Sequence, residues 1–423
     1  MIAEYLIEAG EVVHRVNFCG NDVADWHHPG AIDFTEEPEQ WSIFLMQIMA
    51  RLEVTHIVLH GDRRFYHQTA IKLAQERGIG VVATELGYLR PDWMTAERGG
   101  CSALSHFPND PAAIERIARR VGGFDNRVYY PTREWRRVVQ ELRFTFFNIL
   151  MRRRFPHFRS HRIEARSAVY VGWIASRLLK QARRRHTAAT MAAVEKMGKP
   201  YFIFAMQLNG DLQIRENSPF TGMREALEYV AQSFARHAPP DSLLIVKTHP
   251  LDHRQSTIRS DLSTTSKKFR LPERLVQIDH GDLGSLCKGA AGFVSVNSTA
   301  GFDALGVGCP TISLLPTIYD VEGLTYQEEI DGFWTDCQPP DAELLMMLRN
   351  ALAGTIQVRG TIYCAHGLRE ASRSIAQRLC DECINEPDAF VAPPPRLAKA
   401  ASMGVFYDHK LSEFGSSDLV LCP

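Results

Sequence analysis

The sequence predicts an α/β protein made of two parallel-sheet units. Apolar, β-branched runs typical of strands alternate with amphipathic helical stretches in residues 10–90 and again in residues 200–315. Strands separated by helices of this length imply parallel pairing with right-handed crossovers. With 423 residues the chain exceeds the size of one ordinary core. We therefore expect two Rossmann-like domains that face each other across a cleft.

Composition narrows the classes of function. A hydrophobic share of 45% and a charged share of 23% are typical of a soluble globular protein. The formal net charge of -1 gives no electrostatic reason to bind nucleic acid. Nine scattered cysteines, an odd number, favour a reducing cytoplasm over a secreted disulfide framework. No apolar run approaches the ~20 residues of a membrane span, so we expect a soluble or peripheral protein.

The first unit contains predicted strands separated by two helices. A Rossmann-like domain normally begins on a strand, whereas this chain begins on a helix. We therefore expect that the first strand and its loop are missing from the start. The predicted elements, in order, are a helix at 1–10, a strand at 11–18, a helix at 41–54, a strand at 55–62, a helix at 66–77 and a strand at 80–88.

Residues 111–195 read as helices without strands between them, and they are strongly basic. One interpretation is a solvated helical face, since runs of charge usually form such a face. The other is a membrane-surface helix, because arginines that flank Tyr170, Trp173 and Leu178 suit anionic headgroups. The basic residues are Arg152, Arg153, Arg154, Arg159, Arg162, Arg166, Lys180, Arg183, Arg184 and Arg185.

The second unit repeats the alternation of strands and helices from residue 200. After Pro387 the chain becomes rich in proline and small residues, which predicts a tail without a core. The predicted strands are 201–208, 242–250, 275–279, 292–296 and 311–315, and the predicted helices are 221–237, 283–290, 300–308, 341–353 and 367–383.

Three loops of the second unit carry polar side chains where strands end. Open α/β sheets bind ligands at this edge, so these loops are candidate sites. Local alternatives stay open, since an acid can belong to a turn, an imidazole can be a surface group and a hydroxyl can be an N-cap. Together, a cation, an imidazole and a hydroxyl-rich helix start suit a phosphate ester. The candidates are Gln207, Asp211, Gln213 and Arg215 in "QLNGDLQIRENSPF", Lys247, His249 and Pro250 in "KTHP", and Ser295, Asn297, Ser298 and Thr299 in "SVNSTAG".

Two loops of the first unit are rich in groups that bind sugars. Carboxylates accept hydrogen bonds from hydroxyls, arginines pair with acids, and aromatic rings cover sugar faces. A packed loop tied by arginine–carboxylate pairs is the alternative. The segments "HGDRRFYH" and "TELGYLRPDWMTAERGG" contain Asp62, Arg63, Glu85, Tyr88, Arg90, Asp92, Trp93, Glu97 and Arg98.

The usual nucleotide and metal motifs are absent from the sequence. There is no G-x-x-x-x-G-K-[ST], no strand-linked G-x-G-x-x-G and no H-E-x-x-H, which argues against an NTPase, an NAD enzyme and a zincin. Cys380 and Cys383 form one CxxC pair, but a structural zinc site needs four ligands. Two Rossmann-like domains can hold a sugar donor without such motifs.

Five segments together resemble one family. In chain order they are "GDRRFYHQTAIKLA", "ELGYLRPDWMTAERGG", "QLNGDLQIRENSPF", "KTHPLD" and "SVNSTAGFDALGVGCPTI". They are similar to bacterial capsule polysaccharide biosynthesis proteins of the KpsS/LipA type, relatives of the KpsC β-Kdo transferases. The resemblance implies a GT-B fold and transfer of 3-deoxy-D-manno-octulosonic acid (Kdo) from CMP-Kdo, without a metal or cofactor.

The same resemblance implies the partners and the place of action. The acceptor would be a (lyso)phosphatidylglycerol-type lipid, on which the poly-Kdo linker of capsular polysaccharide starts. The protein would lie at the cytoplasmic face of the inner membrane, as a peripheral protein near a capsule assembly and export complex. A non-catalytic assembly or export factor, and a transferase of another CMP-sugar, remain as alternatives.

The resemblance also divides the chain. Residues 1–195 would form an N-terminal Rossmann-like acceptor domain that includes the basic helical segment 111–195. Residues 196–385 would form the CMP-sugar donor domain with its closing helices, and residues 386–423 a poorly ordered tail.

The resemblance assigns roles residue by residue. Asp211 matches the acid that is the nucleophile in related retaining Kdo transferases, and Glu85 is our candidate for the acceptor base. His249 and Pro250 match an HP motif of CMP-sugar enzymes, and Ser298 and Thr299 match a phosphate-binding hydroxyl pair. Asn209 and Gly210 depart from the more acidic character of the family. Donor binding would further use Gln207, Gln213, Arg215, Lys247, Ser295 and Asn297, and acceptor binding would use Asp62, Arg63, Tyr88, Arg90, Asp92 and Trp93.

Overall fold

The computed structural model describes residues 1–160, 166–208, 214, 218–249, 252 and 255–405, and for residues 134, 166–178, 180, 255 and 256 it describes the backbone alone. This part of the chain is an α/β protein with two larger sheets and one two-stranded pair. The strands are β1 (Arg15–Asn17), β2 (Ala31–Asp33), β3 (His56–His60), β4 (Gly80–Leu86), β5 (Trp93–Arg98), β6 (Tyr201–Ala205), β7 (Leu243–Lys247), β8 (Leu275–Ile278), β9 (Gly292–Ser295), β10 (Thr311–Ser313) and β11 (Gln357–Arg359).

The helices of the described residues fall before, between and after the two larger sheets. None of them is long and apolar enough to cross a membrane. They span Ile2–Glu8, Gly20–Ala24, Trp41–Arg51, Phe65–Gln75, Pro111–Arg120, Glu134–Leu150, Arg166–Met197, Met223–His237, Gln255–Lys268, Leu283–Cys287, Gly301–Leu305, Ile330–Asp336, Ala342–Thr355, Ala365–Cys380 and Leu397–Ser402, with 3₁₀ turns at Pro38–Gln40 and Ser102–Leu104.

The second sheet confirms the predicted parallel architecture. Its five strands lie in the order β10-β9-β6-β7-β8, and every pair is parallel. All residues of β6 and β7 are buried, because helices cover both faces of a parallel sheet. One face packs Phe202, Phe204 and Leu244 into a large cluster, while the other packs Ile203 and Ile245 into a smaller one.

The first sheet is mixed, which differs from the expected parallel sheet. Its order is β11-β5-β4-β3, and only β3 and β4 pair in parallel. β5 pairs antiparallel with β4 and with β11, so residues 93–98 form a strand where the sequence indicated a loop. β1 and β2 form a separate parallel pair.

The end of the chain returns to the first sheet. β11 lies in that sheet, and the helix Ala365–Cys380 packs on it and on the helix Ile2–Glu8. The expected second domain, residues 196–385, included residues 357–380. In the structure these residues pack with the first sheet instead. Long-range pairing of this kind leaves no local signal in the sequence.

The Pro-rich segment is packed as far as residue 405, in contrast to the expected poorly ordered tail. Arg396 is 1% exposed, and Ala389, Ala400 and Val405 are also buried. Residues 406–423 lie outside the described part of the chain.

The described residues of the middle segment contain helices and no strand between them, as predicted. Asp110 accepts a hydrogen bond from the Ala113 N–H, and Pro111 occupies the first turn, so the helix Pro111–Arg120 begins with a side-chain cap. Its buried residues Ile114 and Ile117 join a cluster with Trp93 of the first sheet and Leu348 of the helix Ala342–Thr355. This cluster also includes Phe302 and Tyr319, so the two units share apolar packing.

Candidate functional site

Three candidate loops leave neighbouring strands of the second sheet. Ala205 at the end of β6 pairs in register with Lys247 of β7 on one side and with Ser295 of β9 on the other. β7 and β8 follow on one side of β6, and the chain then crosses to β9 on the other side. The carboxyl ends of β6 and β9 therefore flank a topological switch point, where open α/β sheets bind ligands.

Gln207 and Asn297 join the two loops at this switch point. The Gln207 Nε2 donates to Asn297 Oδ1 at 2.9 Å, and the Asn297 backbone N–H donates to Gln207 Oε1 at 3.1 Å. Gln207 is buried, so its amide is committed to this reciprocal pair. The pair fixes the separation of the loops that follow β6 and β9.

Tyr319 contacts the hydroxyl-rich loop after β9 from the protein interior. The Tyr319 hydroxyl donates to the Ser298 carbonyl oxygen and lies 3.4 Å from the Ser295 Oγ. Ser295 is fully buried, whereas Ser298 and Thr299 are half-buried. The Ser298 Oγ accepts from the Ala300 N–H at 3.2 Å, as a hydroxyl at a helix start does. Ser295 therefore lies in the interior beneath the loop, whereas Thr299 is partly exposed to solvent.

Lys247 is a buried ammonium at the end of β7. It is 9% exposed, and burial lowers its pKa, although Cys287 and Asp282 nearby oppose the shift. No carboxylate of the described residues forms an ion pair with it. An anion bound at this edge of the sheet would neutralise a buried charge that otherwise costs free energy.

His249 follows two residues after Lys247 and is half-buried. Burial lowers its pKa to about 4, and the Lys247 and Arg137 cations add to the effect. Its imidazole is therefore neutral near pH 7 and can donate one hydrogen bond while accepting another. Arg137 belongs to the helix Glu134–Leu150, so this helix borders the candidate site.

Four predicted site residues lie outside the described part of the chain. They are Asp211, Gln213, Arg215 and Pro250.

The first sheet carries Glu85 near the carboxyl end of β4, half-buried and in register with Thr95. Asp62 follows β3 but is 1% exposed, and its Oδ2 accepts from the Cys101 N–H at 2.9 Å. Burial raises the pKa of Asp62, while Arg63 beside it opposes the shift. Arg63 is also buried, whereas Arg90 is exposed.

Two predicted acceptor residues, Asp92 and Trp93, form contacts within the protein, as the packed-loop alternative describes. The Asp92 carboxylate accepts from the Tyr129 and Tyr130 N–H groups and pairs with Arg359 at 3.0 Å. The same guanidinium lies 4.1 Å from the Trp93 ring centroid. Asp92 and Trp93 are both buried, so their functional groups are occupied by the protein itself.

Tyr88, which the resemblance assigned to acceptor binding, is buried in a polar cluster with Glu97. Its hydroxyl donates to Glu97 Oε1 at 2.8 Å and accepts from the Ser102 N–H. Ser105 donates to the second oxygen of Glu97, and burial raises the pKa of Glu97 to about 7. Glu97 was visible in the sequence as one polar residue among several, and only its partners distinguish it.

Other important residues carried no local signal. Tyr319 and Arg396 both act on backbone carbonyls far away in the chain. His60 ends β3 and His67 lies in the helix Phe65–Gln75, and burial lowers the pKa of each to about 4. In the described residues, no three His, Cys, Asp or Glu side chains cluster as metal ligands would.

Comparison with known proteins places these features in a family. The family model described as capsule polysaccharide biosynthesis protein matches residues 55–363. The capsule polysaccharide export protein KpsS of Escherichia coli is 29% identical over 367 residues, which cover 86% of this chain and 93% of that protein. The capsule polysaccharide modification protein LipB of Neisseria meningitidis serogroup A is 27% identical over 371 residues, which cover 86% of this chain and 88% of LipB.

Among solved structures, the β-Kdo 2,7 transferase KpsC of Thermosulfurimonas dismutans is similar with a TM-score of 0.38 and 15% identity, over 84% of this chain and 92% of that one. The family model covers most of the chain, including the ends of β3, β4, β6, β7 and β9. The chain belongs to the family of capsule polysaccharide biosynthesis proteins.

Proposed function

We propose that this protein is a GT-B glycosyltransferase that moves Kdo from CMP-Kdo to a (lyso)phosphatidylglycerol-type lipid. The product would start the poly-Kdo linker of capsular polysaccharide. Family membership supports a role in capsule synthesis. The observation that carries the reaction is the buried Lys247 ammonium beside the neutral imidazole of His249, at the ligand-binding edge of a parallel sheet.

The donor phosphate suits this edge. Lys247 would supply the positive charge, and His249 would donate a hydrogen bond to the departing phosphate without carrying a charge itself. Such groups lower the barrier when negative charge develops on the leaving group. The joined loops of Gln207 and Asn297 would hold the cytidine end in a constant position.

The proposed chemistry has two displacements. The Asp211 carboxylate attacks the anomeric carbon, and the carbon–oxygen bond to CMP breaks with its electron pair on the phosphate, which leaves a Kdo ester on Asp211. The acceptor hydroxyl then attacks the same carbon, loses its proton to Glu85 and releases the Asp211 carboxylate. Two inversions give net retention.

The test is a transfer assay with CMP-Kdo and phosphatidylglycerol, read by CMP release and by mass spectrometry of the protein. We expect Asp211→Ala to lower CMP release by roughly 10³-fold or more, with an unchanged melting temperature. Asp241→Ala removes an exposed carboxylate before β7 and is the matched control. Normal turnover in the Asp211 variant, or a Kdo adduct on a peptide without Asp211, would contradict the proposed nucleophile.

A second candidate is a non-catalytic export or assembly factor, which the name of the Escherichia coli relative favours. Calorimetry with CMP-Kdo and, in parallel, CMP-sialic acid separates the candidates. A protein that binds neither nucleotide sugar fits the export factor, and preference for CMP-sialic acid fits another CMP-sugar transferase.

A further inference from the structure

The helix Glu134–Leu150 exposes an apolar stripe to solvent. Six of its side chains are each between 50% and 65% exposed. Their spacing of three and four residues puts them on one face of the helix, about 100° wide. The stripe consists of Trp135, Val139, Leu142, Phe146, Ile149 and Leu150. A contiguous exposed apolar face of this kind marks an interaction surface rather than ordinary scatter.

The opposite face of the helix anchors it to the rest of the protein. The Gln140 Nε2 donates to the Ile362 carbonyl oxygen at 2.9 Å, and the Asn148 Oδ1 accepts from the Asn21 N–H at 3.0 Å. At the border of the stripe, Arg143 donates to the Ala24 carbonyl oxygen at 2.9 Å and fixes the helix from the side. The apolar stripe is therefore presented outward by a helix whose polar face is already bound.

Positive charge accompanies the apolar stripe. Residues 134–154 contain six arginines and two glutamates, in a chain whose formal net charge is -1. Arg152 and Arg153 are exposed directly after the helix, and no carboxylate of the described residues forms an ion pair with either. An apolar face with arginines at its border is the pattern of a helix that lies in a lipid interface.

We propose that the apolar stripe docks on a bilayer that contains anionic phospholipid, with the helix parallel to the surface. The positive charge of the helix favours an anionic bilayer over a second copy of the chain as the binding partner. A symmetric contact between copies would bring two arginine-rich helices together, whereas anionic headgroups complement them. The aromatic and aliphatic side chains of the stripe would enter the boundary between headgroups and acyl chains.

The docking would also serve the candidate site. The Arg137 guanidinium, on the bound side of the same helix, is close enough to His249 to lower its pKa. A bilayer at the stripe would bring lipid headgroups to the border of the site from which a lipid acceptor must enter. This consequence rests on the proposed function, whereas the docking itself does not.

The experiment is co-sedimentation of the full chain with vesicles of phosphatidylglycerol and phosphatidylcholine, without any sugar donor. We expect the wild type to pellet with the vesicles. The triple variant Val139→Ser/Phe146→Ser/Ile149→Ser should lose roughly tenfold or more of its partitioning. The matched control Val307→Ser/Met346→Ser removes exposed apolar side chains elsewhere and should bind as the wild type does.

Arg152→Glu/Arg153→Glu should weaken binding to the mixed vesicles, and we expect weaker binding of the wild type to pure phosphatidylcholine. A folded triple variant that pellets like the wild type overturns the proposal. A wild-type dimer in vesicle-free sedimentation that the triple variant converts to a monomer assigns the stripe to self-association instead. Because no donor is present, failure here is distinct from failure of Kdo transfer.

Discussion

The pKa of a single histidine at the end of β3, His60, is far below its usual value. His60 is the last residue of β3, and burial lowers its pKa to about 4, with the Arg64 cation and, once it is protonated, His67 adding to the effect. Its Nδ1 lies 3.1 Å from the Thr84 Oγ1. The folded protein holds this imidazole neutral. At a pH low enough to protonate the same histidine in the unfolded chain, protonation favours the unfolded state and the protein loses stability.

The pH dependence of stability follows from this shift. The pKa is about 4 in the folded protein and 6.5 in the unfolded chain, so stability is full above pH 6.5 and falls as the pH decreases toward 4. His60 alone contributes about 3 kcal/mol of this loss. We expect His60→Gln to reduce the loss by that amount in urea unfolding measured between pH 8 and pH 4. The difference in free energy of unfolding between variant and wild type at pH 8 measures the cost of the substitution itself. An equal loss of stability from pH 8 to pH 4 in both proteins would show that His60 does not cause the pH dependence.

At the scale of elements, short helices position the candidate loops. The helix Gly301–Leu305 begins under Ser298 and Thr299, and a Cβ atom at Gly301 would overlap the ring of Tyr319. Tyr319 is buried and bonds to the Ser298 carbonyl oxygen, so the ring has little room to yield. Gly301 thus allows the helix to approach the Tyr319 side chain that supports the loop after β9.

Gly301→Ala should lower the free energy of unfolding by about 1–3 kcal/mol, because overpacking displaces Tyr319. Gly284→Ala in the helix Leu283–Cys287 is the matched control, since its nearest neighbour would lie 3.5 Å away. We expect the control to be neutral or slightly stabilising, as alanine favours helices over glycine. Thermal unfolding of both variants checks the comparison, and equal melting temperatures would show that Tyr319 does not restrict the helix start.

At the scale of the whole molecule, Arg396 links the two units. Its guanidinium donates to the carbonyl oxygens of Phe107, which follows β5, and of Thr317 and Ile318, which follow β10. The side chain is 1% exposed, so these carbonyl groups have no access to water as a substitute. The Pro-rich segment therefore connects the sheet that carries Glu85 to the sheet that carries Lys247.

Arg396→Met keeps the length of the side chain but removes its donors. We expect the free energy of unfolding to fall by about 3 kcal/mol, because several buried carbonyl groups lose a charged partner. Arg369→Met, at an exposed position of the helix Ala365–Cys380, should change it by less than ~0.5 kcal/mol. Urea unfolding followed by fluorescence measures both, and a loss below ~1 kcal/mol in Arg396→Met would refute the linking role.

The local sequence pattern was enough to predict strands that are buried on both faces. The continuous apolar runs of β6, β7 and β9 predicted a parallel sheet, and the polar loops that follow them predicted its ligand edge. β5 was not predicted, because Thr95 and Glu97 make it look polar. Both are buried with partners that come from elsewhere, Gln357 for Thr95 and Ser105 for Glu97.

The sequence by itself determined the alternation of strands and helices, the parallel second sheet whose strands end in the candidate loops, and the family. Only the tertiary structure decided that β11 returns to the first sheet, that Asp92 and Trp93 are occupied by Arg359, and that one face of the helix Glu134–Leu150 stays uncovered. The physical reason is that periodicity and propensity act over a few neighbouring residues. Burial, pairing and exposure depend on residues hundreds of positions away, which the local pattern does not encode.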